Sequence, residues 1–361
     1  MYNTLNKNTR LEWIDAMRGL TMTMVVANHV GFHTFSQTFG ASASMPFFVL
    51  MRMPMFFFIS GFLAYKSSME WNVNTYCQLI GKKMKIQIIP TMVFFLAFIA
   101  ISSPNTYLET LIHDIHSPMK GGYWFTIGLL YMFIIYYTLE YFLQKTRLKG
   151  LIPMIIIWVL ALCAYETCYL PRTFSWAVGH KGGYSGWLHD TSFVEFMKYF
   201  HFFIFGNIVH RNWNTVQKML DNKTTPLVLI ALAFFCSIDF LKFHWLTGAW
   251  ANLPRTIAQY SLFLIVFACF RYYSNVFTKE HRIGRGLQYI GTRTLDVYLL
   301  HYFFLPNLPM VGDFFNKYRH NFILDTTAQL IIAIIVIGFC LLVSNVLRMS
   351  PFLKKYLFGR S

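Results

Sequence analysis

Charge is scarce in this sequence, and negative charge scarcest. Only 13% of the 361 residues are Asp, Glu, Lys or Arg, and Asp and Glu number 15 against 31 Lys and Arg. A soluble domain carries about a quarter of its residues as charges. No stretch here is long and polar enough to supply a separate soluble domain. Cysteines are also few: Cys77, Cys163, Cys168, Cys236, Cys269 and Cys340, with no CxxC pair. That spacing argues against a redox couple or a zinc cluster, and the cysteines read as small core or lipid-facing residues. No GxSxG, Walker or HExxH motif appears, so serine-hydrolase, P-loop and zinc-protease chemistry have no foothold. The polar opening "MYNTLNKNTRLEW" is followed by no small-residue cleavage site, so no signal peptide is expected.

What is abundant is apolar surface. The chain is 56% hydrophobic, with 38 Phe and a mean hydropathy of +0.44. A membrane-spanning helix needs roughly 20 mainly apolar residues. Ten segments qualify as candidates: 14–33, 46–66, 86–103, 122–143, 150–168, 192–210, 226–243, 254–274, 286–306 and 325–347. The expected fold is therefore all-α: a single polytopic membrane bundle over residues 1–361, lying in the bilayer as a multi-pass protein of the cell inner membrane. With the N-terminus placed inside, every inner loop is basic, as in Lys82, Lys83 and Lys85, or Arg282 and Arg285. This distribution predicts cytoplasmic termini. It also accounts for the net charge of +16 as a topology signal, so no nucleic-acid partner is expected. Nothing in the sequence sets the oligomeric state.

The most informative stretch is "RLEWIDAMRGLTMTMVVANHVGF", Arg10 to Phe32. Eleven residues separate Arg18 from His29, which on an α-helix is three turns plus about 20°. The two share one face, about 16.5 Å apart along the axis. Asp15, one turn before Arg18, can pair with it. Ionisable residues inside a span are costly and usually face a bundle interior or aqueous cavity. A cation near the cytoplasm could hold a phosphate, and a neutral imidazole deeper in could take a proton from a hydroxyl. Coenzyme A has phosphates at one end, a thiol at the other, and a comparable reach. The competing reading of His29 is a structural histidine bonded to a neighbouring helix.

Six motifs in order resemble the membrane-bound acyltransferase-3 family, which includes polysaccharide O-acetyltransferases and fucose 4-O-acetylase-like proteins. They are "WIDAMRGL…VVANH", "MPMFFFISGFL", "GKKMKIQIIP", "WFTIGLLY", "FFIFGNIVHR" and "IGTRTLDVYLLH", and they cover nearly the whole chain. The resemblance implies that His29 is the catalytic histidine and that Arg18 helps form the acyl-coenzyme A site. Lys82, Lys83 and Lys85 stand where the family usually has arginines; they keep the charge without bidentate phosphate recognition. Arg52 stands where many sugar-acetylating relatives have histidine. It could bind an anionic or hydroxyl-rich acceptor, or snorkel to the interface.

The reading that follows is an O-acyltransferase, with acetyl the expected group. It would move an acyl group from cytoplasmic acyl-coenzyme A to a hydroxyl of a cell-surface or lipid-linked carbohydrate, with His29 as general base; a covalent acyl-histidine relay is the mechanistic variant. Arg18, Lys82, Lys83 and Lys85 are the expected donor-binding residues. Arg52, Ser60, Trp124 and His301 are the expected acceptor-side residues, and no metal is expected; His301 reads equally as a group that orients another polar residue or as a hydrogen-bonded structural histidine. Arg293 and Asp296 read as a mutually compensating i,i+3 pair. Ser60–Gly61 also reads as close helix packing. Glu195, on the same expected helix as His201, could orient an imidazole there, and "HDIH", His113 to His116, offers too few ligands for a metal. The outer loops near 104–121, 169–191 and 307–324 are rich in His, Gly, Tyr and Trp. They read either as interfacial anchors or as contacts for a ring-shaped ligand. The alternative function is a transporter or flippase of a glycolipid or small anion, which intramembrane Arg and His would also suit; no inverted repeat is evident.

Overall fold

The computed structural model describes residues 11–38, 40–146, 150–167, 186–247, 251–317 and 321–358, and among them every regular element is helical. The principal helices are α1 (Glu12–His29), α2 (Met45–Ala64), α3 (Val73–Lys83), α4 (Ile89–Ser102), α5 (Tyr107–His116), α6 (Trp124–Lys145) and α7 (Leu151–Thr167). They are followed by α8 (Phe193–Arg211), α9 (Trp213–Leu220), α10 (Thr224–Ile238), α11 (Leu253–Tyr272), α12 (Arg282–Thr292), α13 (Thr294–Phe304) and α14 (Phe322–Leu347). Each of the ten candidate segments falls on helix. Among the described residues five helices are long and apolar enough to cross a membrane: α2, the continuous run Val73–Ser102, α6, α11 and α14. A sixth span results if α9 and α10, bent by 82° at their junction, count as one.

Two of the expected spans differ in a physically informative way. α1 is diluted by polar residues, yet almost all of it is buried. It satisfies them internally: the Thr21 hydroxyl donates to the Met17 carbonyl at 2.8 Å and that of Thr23 to the Gly19 carbonyl at 3.0 Å. The segment 286–306 is not one helix. It breaks at Arg293 into two helices of 11 residues each.

That break corrects one expectation. Arg293 and Asp296 do not compensate each other. The Asp296 carboxylate accepts from both Nη2 and Nε of Arg348 at 2.7–3.0 Å, and from the Ser344 hydroxyl at 2.6 Å. Arg293 instead donates to the Asn345 side chain and lies over the Tyr289 ring. The i,i+3 rule is local, and here a partner on α14 gives the buried carboxylate a bidentate match that Arg293 does not. Glu195 and His201 also go separate ways: Glu195 pairs with Lys198 at 2.6 Å, and His201 Nδ1 meets the Tyr260 hydroxyl at 2.7 Å.

α1, α2, α8 and the α12–α13 pair form the centre of the bundle. α1 crosses α12 backbone to backbone. A Cβ on Gly19 would enter the Leu287 carbonyl, and one on Gly291 the Asp15 carbonyl. α2 and α8 meet the same way, with Gly61 against the Phe203 carbonyl, so Gly61 does serve close packing. The turn after α1 is pinned by the buried Asp325, which accepts from Ser42 at 2.6 Å and from both the hydroxyl and the N–H of Ser44. The five cysteines among the described residues are free thiols, and Cys168 lies outside those residues.

Replacing Gly291 with Val should drive α12 off α1. Overpacking of this kind costs about 1–3 kcal/mol. Thermal unfolding of the purified variant in detergent should show a clear loss of stability; an unchanged melting temperature would contradict the backbone contact.

Candidate functional site

One cavity of about 660 Å³ runs through the centre of the bundle. Its basic end is lined by Arg18, Lys66, Lys82 and Lys83, its middle by Met22, Val25, His29, Arg52 and Ser60, and its far end by Asp114, Ser117, Met119, Gly121 and Gly122. Phe56, Phe125, Leu129 and Phe133 give it apolar walls.

Arg18 and His29 both line it, as their shared helical face requires. α13 holds each of them. The Arg18 guanidinium donates to the Thr294 hydroxyl at 2.9 Å, with Asp15 at 3.5 Å on its other side. Two turns further along α13, His301 Nε2 lies 3.1 Å from His29 Nδ1. A π-helical turn, Val30–Thr34, follows His29 directly. Such single π turns recur at functional sites. It brings His33 beside His29, ring centres 5.8 Å apart, with Tyr302 packed against both rings.

Lys82 and Lys83 reach the cavity from α3, and Lys83 Nζ sits 3.5 Å from the Phe133 ring centre. Lys85 does not line the cavity. It is exposed, about half a turn round from Lys83, so a helix that turns Lys83 inward turns Lys85 outward. Gln87, four residues beyond Lys83, lines the wall instead.

Arg52 faces the cavity in the same layer as His29. Its Nε is buried and has no hydrogen-bond partner among the described residues. Ser60 lines the wall while its hydroxyl donates to the Phe56 carbonyl at 2.9 Å. Trp124 forms part of the lining and stacks on Tyr199, ring centres 5.8 Å apart. His301 is different from these: it is fully buried, packs against His29 and Tyr302, and does not itself line the cavity.

The far end is built from loops tied to α13. The Tyr298 hydroxyl donates to the Gly122 carbonyl at 2.9 Å, and the Tyr123 hydroxyl to the Leu299 carbonyl at 3.0 Å. Gly122 has φ +97° and packs so closely on Tyr302 that a side chain would collide with the ring. Asp190 accepts from His116 at 3.0 Å and is near His189, and these contacts hold its carboxyl below the usual range. No cluster of three or more His, Cys, Asp or Glu suited to a metal occurs among the described residues. Most of the aromatic outer stretch 169–191 lies outside the described residues, which resume at Gly186.

Sequence reasoning missed His33, Lys66, Gln87, Thr294 and Tyr302 as parts of this site. Two had a legible signal: His33 is i+4 from His29, and Gln87 is i+4 from Lys83. Thr294 and Tyr302 depend on how α13 docks, which no local spacing reports.

These features define a helical, multi-pass membrane protein with a polar cavity threaded through its core. The acyltransferase domain family, acyltransferase-3, matches residues 11–345, nearly the whole chain, and the protein belongs to that family. It is thus a membrane acyltransferase. No curated protein and no solved structure matches the chain.

In a protein whose native cysteines are replaced by serine, Lys83→Cys and Ser117→Cys should react with a membrane-impermeant maleimide from opposite faces of the membrane. Labelling of both from one face would contradict a cavity with two mouths.

Proposed function

We propose that the protein transfers an acyl group, acetyl in the first instance, from cytoplasmic acyl-coenzyme A to a hydroxyl of a cell-surface or lipid-linked carbohydrate at the outer face of the inner membrane. The observation that carries this reading is the cavity: cations at one end, an imidazole in the middle, and an open polar end beyond it. A donor with phosphates at one terminus and a thioester at the other suits that order. Arg18, Lys66, Lys82 and Lys83 are the groups available to its phosphates. The pantetheine arm would lie along Met22, Val25 and Leu129.

His29 takes the proton from the acceptor hydroxyl as its oxygen bonds to the thioester carbonyl carbon. The tetrahedral intermediate collapses with cleavage of the carbon–sulfur bond. The departing thiolate recovers the proton from His29, so coenzyme A leaves as the thiol. Arg52, with an unpaired Nε beside this centre, is suited to a negative charge developing on the carbonyl oxygen or carried by the acceptor. Trp124 offers an aromatic face, and Asp114 a carboxylate, to a polyhydroxylated acceptor entering from the far end. The family match favours this chemistry over transport through the same cavity.

Calorimetry with acetyl-coenzyme A tests the donor half. The wild type should bind. Arg18→Ala should bind roughly 10- to 100-fold more weakly, the worth of a charge-assisted hydrogen bond. His29→Ala should bind as the wild type does while transfer falls by about 10²–10⁴. Absence of binding by folded wild type at millimolar ligand would overturn the proposal.

A further inference from the structure

Of the readings the sequence leaves open for His301, its position favours orientation of a neighbour over contact with the acceptor. It is fully buried and does not line the cavity, while His29 and Tyr302, both packed against its ring, do. Its Nδ1 lies 2.8 Å from the Tyr298 carbonyl and 3.2 Å from that of Val297. A carbonyl oxygen only accepts, so Nδ1 carries a proton. The other nitrogen, Nε2, faces His29 Nδ1 at 3.1 Å. One proton must lie between those two nitrogens.

Which ring owns it follows from charge. Among the described residues no carboxylate lies within ion-pair distance of either imidazole, and Arg52 already places a positive charge in the adjoining cavity. A further cation there would have no counterion, so both rings rest neutral. A neutral His301 protonated on Nδ1 has a bare Nε2. The shared proton therefore belongs to His29 Nδ1, and the lone pair of His29 is on Nε2. That nitrogen has no hydrogen-bond partner among the described residues, and His29 lines the cavity.

We infer that His301 is a positioning residue: through the His301 Nε2–His29 Nδ1 contact it fixes the tautomer and ring orientation of His29, so that His29 Nε2 meets the acceptor hydroxyl as a base. The carbonyls of Val297 and Tyr298 fix His301 in turn. The arrangement is a relay of orientation with no carboxylate in it. When His29 gains the acceptor proton on Nε2, its Nδ1–H stays bonded to the His301 lone pair, which stabilises the imidazolium. No proton need pass to His301.

The inference rests on His29 being the base, so the experiment separates the two claims. In ¹⁵N-histidine-labelled wild type, the nitrogen shifts and couplings of His29, assigned by its loss in His29→Ala, report the tautomer without any turnover. They should show Nδ1 protonated and Nε2 bare. His301→Leu should lose that preference and lower kcat about 100-fold, with KM for donor and acceptor little changed. His301→Gln, which can still accept from Nδ1–H, should recover part of the rate. A resting His29 protonated on Nε2 would overturn the inference whatever the protein's activity. So would a His301→Leu enzyme with wild-type kcat and a raised acceptor KM, which is the signature of substrate contact. If His29→Ala kept full activity, the base assignment would fail on its own, while the tautomer measurement would still stand.

Discussion

The bidentate ion pair between Asp296 and Arg348 sets the register on which the site depends. It is buried, it joins the first turn of α13 to the end of α14, and the Ser344 hydroxyl completes it. Removing one partner of such a pair typically costs about 3–5 kcal/mol, because the other charge is left buried alone. With α13 anchored at that turn, Thr294 meets Arg18 and, two turns on, His301 meets His29. The separation of the two functional groups on α1 is thus matched by a second helix that grips each of them. The break at Arg293 is what allows this. A straight helix through 286–306 could not both pack backbone-on-backbone against α1 through Gly291 and then bring Thr294 to Arg18 and His301 to His29.

The same arrangement explains how a chain with few charges keeps a polar route through its core. In the bilayer, polar groups must find partners within the protein or line water. α1 satisfies its threonines on its own carbonyls, α14 takes the Asp296 carboxylate, and the turn after α1 is held by Asp325. Among the groups left facing the cavity are Arg18, His29, His33, Arg52, Lys66, Asp114 and the lysines of α3. Their order along it, cations first and imidazole next, is the order on which the proposed coenzyme A donor rests.

Much of this was legible in the sequence because its signals are local. Apolar run length located a helix at each of the ten segments, and the 11-residue spacing placed Arg18 and His29 on one face. Whether all ten segments cross the bilayer is not decided by helicity: five meet the length and hydropathy of a span, six with the bent α9–α10 pair. The readings that changed were those that depend on which helix docks where. Asp296 took a partner 52 residues away instead of Arg293. Lys85 turned outward because it is half a turn from Lys83. His301, grouped with the acceptor residues, is buried against His29 and does not line the cavity. A single sequence gives the face of each helix and leaves unstated the neighbour that face meets.

The central claim is that one cavity carries an acyl group from donor to acceptor across the layer of His29. Its most direct test is transfer in proteoliposomes of known orientation, with acetyl-labelled acetyl-coenzyme A supplied on one side and a carbohydrate acceptor enclosed on the other. The account predicts label on the acceptor only when donor is at the face of Arg18 and Lys83 and acceptor at the face of Ser117, with loss of transfer in His29→Ala. Transfer that required donor and acceptor on the same side would contradict it.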